Sequence, residues 1–317
     1  MTTEDRLQAF HQHRAVLFSI AYRMLGSLAD AEDMLQESFI RWQQAPDVEI
    51  VSTRAYLVTI VSRLCINHLQ SARVKREQYV GQWLPEPLVT ATNELLDLSL
   101  SSQLDDSISM AFLVLMERLT PTERAVFLLR DVFDYEYSEI AQTVNQSGSN
   151  CRQILRRARQ HIKEARPRFD PSPQQRDKLL KEFLDASARG DLDGLVALLS
   201  NEITFYSDGG GQVAALPNPV YGAENVARAV LGSLNKFVPR NIVSRYARIN
   251  GQPGIVNYMD GHPHSVLTVD VIDQRICNIY VVSNPKKLER LPLLQQQAQP
   301  ESLESSTSEG DTPVTPQ

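Results

Sequence analysis

The sequence predicts a multidomain protein in which two all-α domains, the second with a helix-turn-helix, precede an α+β domain. Apolar residues recur at helical spacing through most of the first half of the chain. Between residues 137 and 165, a short helix, a glycine-containing turn and a longer basic helix follow one another, which is the order of a helix-turn-helix. Beyond residue 200, runs of alternating polarity typical of strands become frequent.

The composition is that of an ordinary soluble globular protein. Of 317 residues, 42% are hydrophobic and 22% are charged, and this length allows more than one domain. No stretch approaches the roughly 18 uncharged apolar residues of a membrane span, and the N-terminus lacks the pattern of a secretory signal. We therefore expect a cytoplasmic protein without a membrane partner. Cys65, Cys151 and Cys277 are widely separated, which predicts free thiols rather than disulfides or a metal site.

Three helices are predicted within residues 1–76. The first has helical spacing from Leu7 onward and ends at Gly26, a residue type that often terminates helices. Ser27 then supplies an oxygen that caps the second helix. A third helix is predicted from about Thr53 to Ala72. The first domain is therefore a three-helix domain.

Residues 77–104 are predicted to be a linker. Helical spacing is absent here, and Pro85 and Pro87 cannot continue a helix because proline lacks the amide donor. Trp83 lies in this linker, and two interpretations remain open: the ring docks on another part of the protein, or it fills a pocket formed by its own turn.

The second helical domain is predicted over residues 105–168. Thr120, Pro121 and Glu123 form a strong helix start, with a cap, a proline in the first turn and an acid at the third position. The predicted helices are Asp105–Leu119, Pro121–Val132, Tyr137–Val144 and Ser149 to about Ala165. The last two form the helix-turn-helix.

A proline-rich linker at 169–174 is predicted to lead into an α+β domain over 175–291, followed by a disordered tail at 292–317. Helices are predicted at 175–189, 192–200 and 223–236, and strands at 202–207, after the glycine run at 209–211, and at 241–249, 254–259, 265–270 and 277–282. We expect a mostly antiparallel sheet with two or three helices against it.

Charge is unevenly distributed along the chain, although the net charge is only −6. Seven basic residues and one acid lie between Cys151 and Arg168, and four basic residues and no acid lie between Arg63 and Arg76. By contrast, four acids lie between Ser27 and Ile40 without a basic partner. Two basic patches and one acidic patch indicate more than one macromolecular partner.

Several motifs in the first half resemble one family. Ala21–Gly26, Asp30–Asp33 with Gln36 and Glu37, and Thr59–Arg73 resemble the second conserved region of bacterial extracytoplasmic-function sigma factors. Leu119–Arg124, Tyr137–Ala141 and Cys151–Arg159 are similar to the fourth region. The resemblance covers about the first 170 residues and implies a bacterial RNA polymerase sigma factor that directs promoter-specific transcription initiation.

The second half resembles the subgroup of these sigma factors with a fused SnoaL-like C-terminal domain. Three segments match that subgroup: Trp83–Pro87, Asp208–Gly211 and Asn284–Leu288. The glycine run usually ends in lysine there, whereas this chain has Gln212. The resemblance implies two all-α sigma domains, the second with a helix-turn-helix, followed by an α+β SnoaL-like curved-sheet domain that regulates them.

The resemblance also implies the partners, core RNA polymerase and promoter DNA, and the residues that contact them. The −35 element is expected to contact Arg152, Gln153, Arg156 and Arg157, and the −10 element Thr53, Arg54, Tyr56, Arg63, Asn67 and Arg73. Polymerase is expected to bind Asp30, Glu32, Asp33, Gln36 and Glu37, since acids would repel DNA. Arginine and glutamine suit base recognition because each can pair with a base edge through two hydrogen bonds. Tyr56 fits the hydrophobic core equally well.

Regulatory contacts are expected between the linker and the C-terminal domain. The predicted residues are Trp83, Leu84 and Pro85 on the linker, and Asp208, Gly209, Gly210, Gly211, Asn284, Pro285 and Leu288 on the domain. We predict that the segment 83–87 docks around residues 284–288. This docking would fix the spacing between the two DNA-reading domains in a compact form.

The polar candidates in a C-terminal pocket are Tyr206, Asp208, Asp260, His262 and His264. A catalytic His–Asp pair is one interpretation, and a hairpin loop at residues 262–264 is the favoured one. We expect no catalysis, cofactor or metal, and any small ligand is left unidentified. Two other function classes stay open: a ligand-responsive helix-turn-helix one-component regulator, and a SnoaL-type enzyme with an added DNA-binding region.

Overall fold

The computed structural model describes residues 2–45, 50–76, 79–89, 108–163, 172–237 and 241–294, with backbone alone at 72–76, 163, 173, 235 and 237. The predicted disordered tail therefore lies outside the described residues except at 292–294. The same holds for residues 169–171 of the predicted linker at 169–174, and for residues 77–78 and 90–104 of the longer linker.

The first helical domain comprises α1 (Thr3–Leu25), α2 (Leu28–Gln43) and α3 (Thr53–Arg76), which agrees with the predicted three-helix domain. Gly26 ends α1 in the left-handed conformation at φ 65°, which glycine adopts without steric cost. Ser27 caps α2 by accepting a hydrogen bond from the amide of Asp30. The two caps produce the sharp turn between α1 and α2.

The second helical domain contains α4 (Met110–Met116), α5 (Pro121–Phe127), α6 (Tyr137–Val144) and α7 (Gly148–Lys163). A π-helical turn at Leu128–Val132 continues α5. The predicted capping box is present, because Thr120 and Glu123 each accept a hydrogen bond from the other's amide. Helix α4 begins later than predicted, since the Ser109 hydroxyl caps it at Phe112.

The two helical domains share one hydrophobic core. Leu17, Trp42 and Leu57 of the first domain belong to the same cluster of buried side chains as Leu128 and Ile140 of the second. Helix α3 packs against both α5 and α6. Separating the domains would therefore expose apolar surface, at a cost of roughly 25 cal/mol per Å².

The C-terminal domain has the predicted α+β architecture. Its helices are α8 (Pro173–Arg189), α9 (Leu192–Leu198), α10 (Ala223–Phe237) and α11 (Pro285–Leu288). Its strands are β1 (Leu199–Asp208), β2 (Val220–Tyr221), β3 (Ile242–Ile249), β4 (Gln252–Met259), β5 (His262–Ile272) and β6 (Arg275–Val282). The sheet order is β2-β1-β6-β5-β4-β3, and only the β1–β6 pair is parallel. Helix α8 begins within the range predicted as a linker, because Ser172 caps it.

The two faces of the sheet have different neighbours. The inner face, with Ile203, Phe205 and Ile279, packs against helices α8–α10. The outer face packs against the linker segment, defined as residues 79–89, and against helix α4. Most of the linker segment is therefore buried between domains: Leu84 and Leu88 are each at most 1% exposed.

The prediction of a hairpin loop at residues 262–264 is wrong. Strand β5 begins at His262, which pairs with Met259 of β4. The turn consists of Asp260 and Gly261, both at positive φ, so the chain re-enters the sheet one residue after the glycine.

Candidate nucleic-acid interface and interdomain contacts

Helix α7 has the geometry of a recognition helix. Asn145, at φ 52°, ends α6 in the left-handed conformation, and α7 begins three residues later. One side of α7 is buried, and the predicted −35 residues are exposed on the other: Arg152, Gln153, Arg156 and Arg157. The Arg152 guanidinium lies 5.0 Å from the centre of the Tyr137 ring, and Arg159 forms an ion pair with Asp131 at 2.6 Å. The recognition face thus presents cations to solvent.

The predicted −10 residues lie along α3, but several of them contact the second helical domain. Arg54 lies 5.5 Å from the ring of Tyr135. Tyr56 is half-buried, with its ring 5.6 Å from that of Trp42, so it belongs partly to the core. Thr53 is half-buried at the start of α3, and the side chain of Arg73 lies outside the described residues. The name −10 surface is used below for Thr53, Arg54, Tyr56, Arg63 and Asn67.

Arg63 of α3 contacts the second helical domain through its side chain. Its guanidinium donates hydrogen bonds to the carbonyl oxygens of Thr143 at 3.0 Å and Gln142 at 2.6 Å, both on α6. One turn earlier on α3, the Thr59 hydroxyl lies 3.1 Å from that of Thr143. Asn67 is exposed and lines a cleft of about 540 Å³ between α3 and α6. The first helix of the helix-turn-helix therefore covers part of the −10 surface.

The predicted polymerase-binding acids lie on α2, and three of them lie beside basic side chains from outside residues 27–40. Glu32 forms an ion pair with Arg14 of α1 at 2.7 Å, and Glu37 pairs with Arg41 at 2.8 Å. Asp30 lies 3.6 Å from the ring nitrogen of His68 on α3. Asp33 and Gln36 are exposed. The basic partners come from outside the acidic stretch, where linear charge counting cannot detect them.

Asp208, at the end of β1, binds the linker segment. It is 0% exposed, and its carboxylate accepts hydrogen bonds from the Tyr79 hydroxyl at 2.6 Å and the Leu84 amide at 2.9 Å. Lys287 of α11 supplies the countercharge at 2.7 Å and also donates to the Leu84 carbonyl. A buried carboxylate is stable in its charged form only with such partners. We call this group the linker clamp: Asp208, Lys287, Tyr79, Leu84 and Asn284.

Trp83 lies between the first helical domain and the C-terminal domain. The Lys287 ammonium is 4.3 Å from the centre of its ring, within the range of a cation–π interaction. On the other domain, a Cβ atom at Gly26 would lie 2.8 Å from the Trp83 Cη2 atom, so the ring packs directly on that backbone. Of the two interpretations of Trp83, the structure therefore supports docking on other parts of the protein over a pocket formed by its own turn.

The glycine run permits close approach of the linker segment. A Cβ at Gly210 would lie 2.2 Å from the Asn284 Nδ2 atom, and one at Gly211 would lie 2.9 Å from Val80. Asn284 in turn donates a hydrogen bond to the Tyr79 hydroxyl at 2.8 Å. Both glycines have positive φ. The two sequence motifs and the linker segment are therefore in contact, with Leu288 buried beside them and Gln212 exposed.

Comparisons with known proteins identify the family. The models for Sigma-70 region 2 and Sigma-70, region 4 match residues 9–74 and 109–162. The ECF RNA polymerase sigma factor SigJ of Mycobacterium tuberculosis is 35% identical over 308 residues, which span 93% of this chain and 96% of that protein. This chain belongs to the extracytoplasmic-function sigma factors. Its first helical domain is sigma region 2 and its second is sigma region 4.

Further relatives agree over nearly the whole chain. The probable ECF RNA polymerase sigma factor SigI of M. tuberculosis is 33% identical and covers 89% of this chain and 94% of its own length. The crystal structure of M. tuberculosis SigJ superimposes with a TM-score of 0.71 at 32% identity, covering 90% of this chain and 98% of that chain. The predicted three-part architecture of the sigma factor is thereby confirmed.

As a sigma factor, the protein binds core RNA polymerase and promoter DNA at the −35 and −10 elements. The alternative of a one-component regulator is not favoured. Sigma factors as a family are not enzymes, and RNA polymerase performs the chemistry. Within the described part of the chain, no helix combines the length and apolarity needed to cross a membrane.

Two residues that sequence reasoning missed join region 2, the linker segment and the C-terminal domain. Glu86 is 4% exposed, and its carboxylate accepts a hydrogen bond from the Leu28 amide at the start of α2 at 2.7 Å. Burial raises the pKa of this carboxyl, while the hydrogen bonds from the α2 amides act in the opposite direction. Asn250 bonds to Tyr22 at 2.5 Å and to the Leu88 amide at 3.0 Å. The Asn-Gly pair between two predicted strands is a hairpin signal, but it did not indicate this contact.

The polar candidates for a catalytic pocket do not form one site. Tyr206 lines a large cavity, whereas Asp208 belongs to the linker clamp. Asp260 and His262 are exposed, and the His262 ring contacts only the Asp260 carbonyl, at 3.0 Å, among its described hydrogen bonds. His264 is half-buried on β5. Within the described ranges, the structure therefore brings together no catalytic His–Asp pair from this set.

Proposed function

We propose that the fused C-terminal domain holds this sigma factor in a closed form in which region 4 covers the −10 surface. In this proposal, core RNA polymerase binds the acidic face of α2 (Asp30, Glu32, Asp33, Gln36 and Glu37), and the two sigma regions separate before the promoter is melted. The −35 element is read by Arg152, Gln153, Arg156 and Arg157. The −10 element is read by the −10 surface, with Arg73 continuing it.

The contact that carries this proposal is that of Arg63 with α6. A −10 reader must capture unpaired bases, which requires free polar and positive groups on α3. Here the guanidinium of Arg63 is bonded to two main-chain carbonyl oxygens of region 4. The same side chain cannot make these bonds and also contact DNA bases, so the described closed form is incompatible with full −10 recognition.

The linker clamp supports a role for the C-terminal domain in maintaining this form. Asp208 and Lys287 bind the linker segment from one side, while Trp83 and Glu86 of that segment contact the loop between α1 and α2. The described part of the linker, residues 79–89, is therefore held between region 2 and the C-terminal domain. Holding these residues shortens the length of free chain between region 2 and region 4, which raises their local concentration for each other.

In this proposal the C-terminal domain acts by contact and not by catalysis. The Asp208 carboxylate of this domain is buried and is bonded to Tyr79 and Leu84 of the linker segment and to Lys287, so it has no access to a substrate. We further propose that the protein acts in the cytoplasm, where RNA polymerase is found.

A reversible disulfide between region 2 and region 4 tests the closed form. The Thr59 and Thr143 hydroxyls are 3.1 Å apart, so the double variant Thr59→Cys with Thr143→Cys can lock the two regions together. We expect run-off transcription with core polymerase to fall at least tenfold when this variant is oxidised. Reduction with dithiothreitol should restore it in the same sample.

A matched control is a second disulfide within the C-terminal domain. Ser244 and Asn257 lie directly opposite each other on β3 and β4, with a side-chain hydrogen bond of 2.7 Å. The Ser244→Cys, Asn257→Cys variant should transcribe equally well whether oxidised or reduced. Full activity of the oxidised Thr59–Thr143 pair would show that separation of the regions is not needed, and would refute the proposal.

A further inference from the structure

A large cavity lies between helix α4 of region 4 and the outer face of the C-terminal sheet. Its volume is about 1140 Å³, comparable to the upper range of small-molecule sites. The inner face of the same sheet is filled by apolar side chains from helices α8–α10. The cavity is therefore a feature of the boundary between two domains, where ligand sites are common.

The sheet side of the cavity has an aromatic part. Tyr206, Tyr280 and Thr268 are direct cross-strand neighbours on β1, β6 and β5, so they share one face of the sheet. The rings of Tyr206 and Tyr280 are parallel, with centroids 5.3 Å apart. The Thr268 hydroxyl is buried and has no hydrogen-bond partner among the described residues. This part of the cavity combines a half-buried tyrosine, Tyr206, stacked on the buried Tyr280, with an unused polar group.

Next to the row of Tyr206, Tyr280 and Thr268, two residues further along each strand, lies a second row of side chains, which is polar. Thr204, Asn278 and Asp270 are cross-strand neighbours, about 7 Å from the tyrosine row at 3.3–3.4 Å per residue. The Asn278 amide donates to the Asp270 carboxyl at 3.1 Å. Burial raises the pKa of this carboxyl, because the charged form is poorly solvated there. The row is suited to binding a neutral hydrogen-bonding group such as a hydroxyl.

Region 4 contributes a cation to the lining of the cavity. Arg118 follows helix α4 and is exposed, and it forms no ion pair among the described residues. Burial is the larger influence on the pKa of Tyr206 and Tyr280 and raises both, but the charge of Arg118 lowers them. Arg118, Tyr206 and Tyr280 all line the same cavity. The acids Glu202 and Asp273 and the cations Arg176 and Arg275 line the cavity elsewhere.

We propose that this cavity binds a small aromatic carboxylate that carries a hydroxyl at the opposite end of its ring. The ring packs on Tyr206 and Tyr280, the carboxylate pairs with Arg118, and the hydroxyl bonds in the row of Asn278 and Asp270. A substituted ring spans the distance between the two rows. Because the site has one wall from region 4 and one from the C-terminal domain, it is complete only while these two parts are together.

Isothermal titration calorimetry of the full chain with 4-hydroxycinnamate tests this site. We expect saturable binding with a Kd below about 1 mM. Two changes should each weaken binding at least tenfold: replacement of the probe by its neutral amide, and the substitution Arg118→Gln, which removes an exposed charge. Cinnamate, which lacks the hydroxyl, should bind several-fold more weakly, because it leaves buried polar groups unpaired.

A cavity-filling variant and its control locate the binding. Thr204→Trp places an indole within the cavity and should abolish binding, whereas Val243→Trp, at an exposed position of β3 outside the cavity, should not change it. Absence of saturable binding, or equal affinity in Arg118→Gln and the parent protein, would overturn the proposal. The measurement uses neither polymerase nor DNA, so this outcome would leave the closed-form proposal standing.

Discussion

The recognition helix α7 and the −10 surface of α3 are both predicted to contact promoter DNA, yet only the −10 surface contacts the other helical domain through its predicted DNA-binding side chains. On α7, Arg152 and Arg156 are exposed to solvent. On α3, Arg63 is bonded to α6 and Arg54 stacks on Tyr135 of region 4. One DNA-reading surface is thus ready for use, while the other is partly occupied by the domain that carries the first. Under the closed-form proposal, this difference means that regulation acts on −10 recognition.

The largest expected effect comes from the linker clamp. Asp208→Ala removes the countercharge of Lys287 and an acceptor of the Leu84 amide, and breaking a buried ion pair in this way costs about 3–5 kcal/mol. Amide hydrogen exchange should accelerate at least tenfold in the linker segment and in α6. Asp208→Asn, which retains an acceptor, should have a smaller effect. If the exchange protection of α6 is unchanged in both variants, then the linker clamp does not maintain the closed form.

A substitution on the exposed face of α7 should weaken DNA binding and leave the contacts within the protein unchanged. Arg156→Ala is expected to reduce promoter binding of the polymerase complex by about 1–3 kcal/mol, the usual value of one bidentate base contact. Competition run-off transcription on promoters that differ in the −35 element measures this loss. Lys181, an exposed cation on α8, offers a matched control as Lys181→Ala. Equal losses for the two variants would indicate that only general charge matters.

A substitution on the −10 surface should weaken both DNA binding and the contact between the two helical domains. Arg63→Ala removes a charged donor to two carbonyl oxygens, and its exposed position limits the expected cost to roughly 1 kcal/mol. Exchange of the α6 amides should accelerate about fivefold in the free protein. Arg156→Ala should leave that exchange unchanged. If the two variants behave alike in this measurement, then the comparison between the surfaces fails.

The smallest effect is a pH dependence from Glu86. Because burial raises the pKa of Glu86 above its ordinary 4.5, its contribution to stability is greatest below that pH and is lost as pH rises through the raised value. Glu86→Gln removes this titration and keeps an acceptor for the Leu28 amide. The difference in Tm between variant and parent should therefore increase in favour of Gln from about pH 5 to about pH 7.5. A constant difference would show that the carboxyl is not desolvated.

Local sequence signals were sufficient for the boundaries of many elements. Gly26, Ser27 and Thr120 act on neighbouring backbone groups within a few residues, so their capping roles are readable without knowledge of the fold. The exposed face of α7 also follows from helical periodicity alone. Motif resemblance grouped residues near Trp83, Asp208 and Asn284, but it did not identify which atoms are in contact.

The sequence by itself thus determined the order of domains, the helix-turn-helix and the family. Only the tertiary structure decided that α6 covers Arg63, that Asn250 bonds to Tyr22 across 228 positions, and that Glu86 caps α2. These contacts join groups that are distant along the chain, and they form because separate apolar faces pack into common cores. Periodicity reports which face of an element is apolar, but it does not report which other element that face will contact.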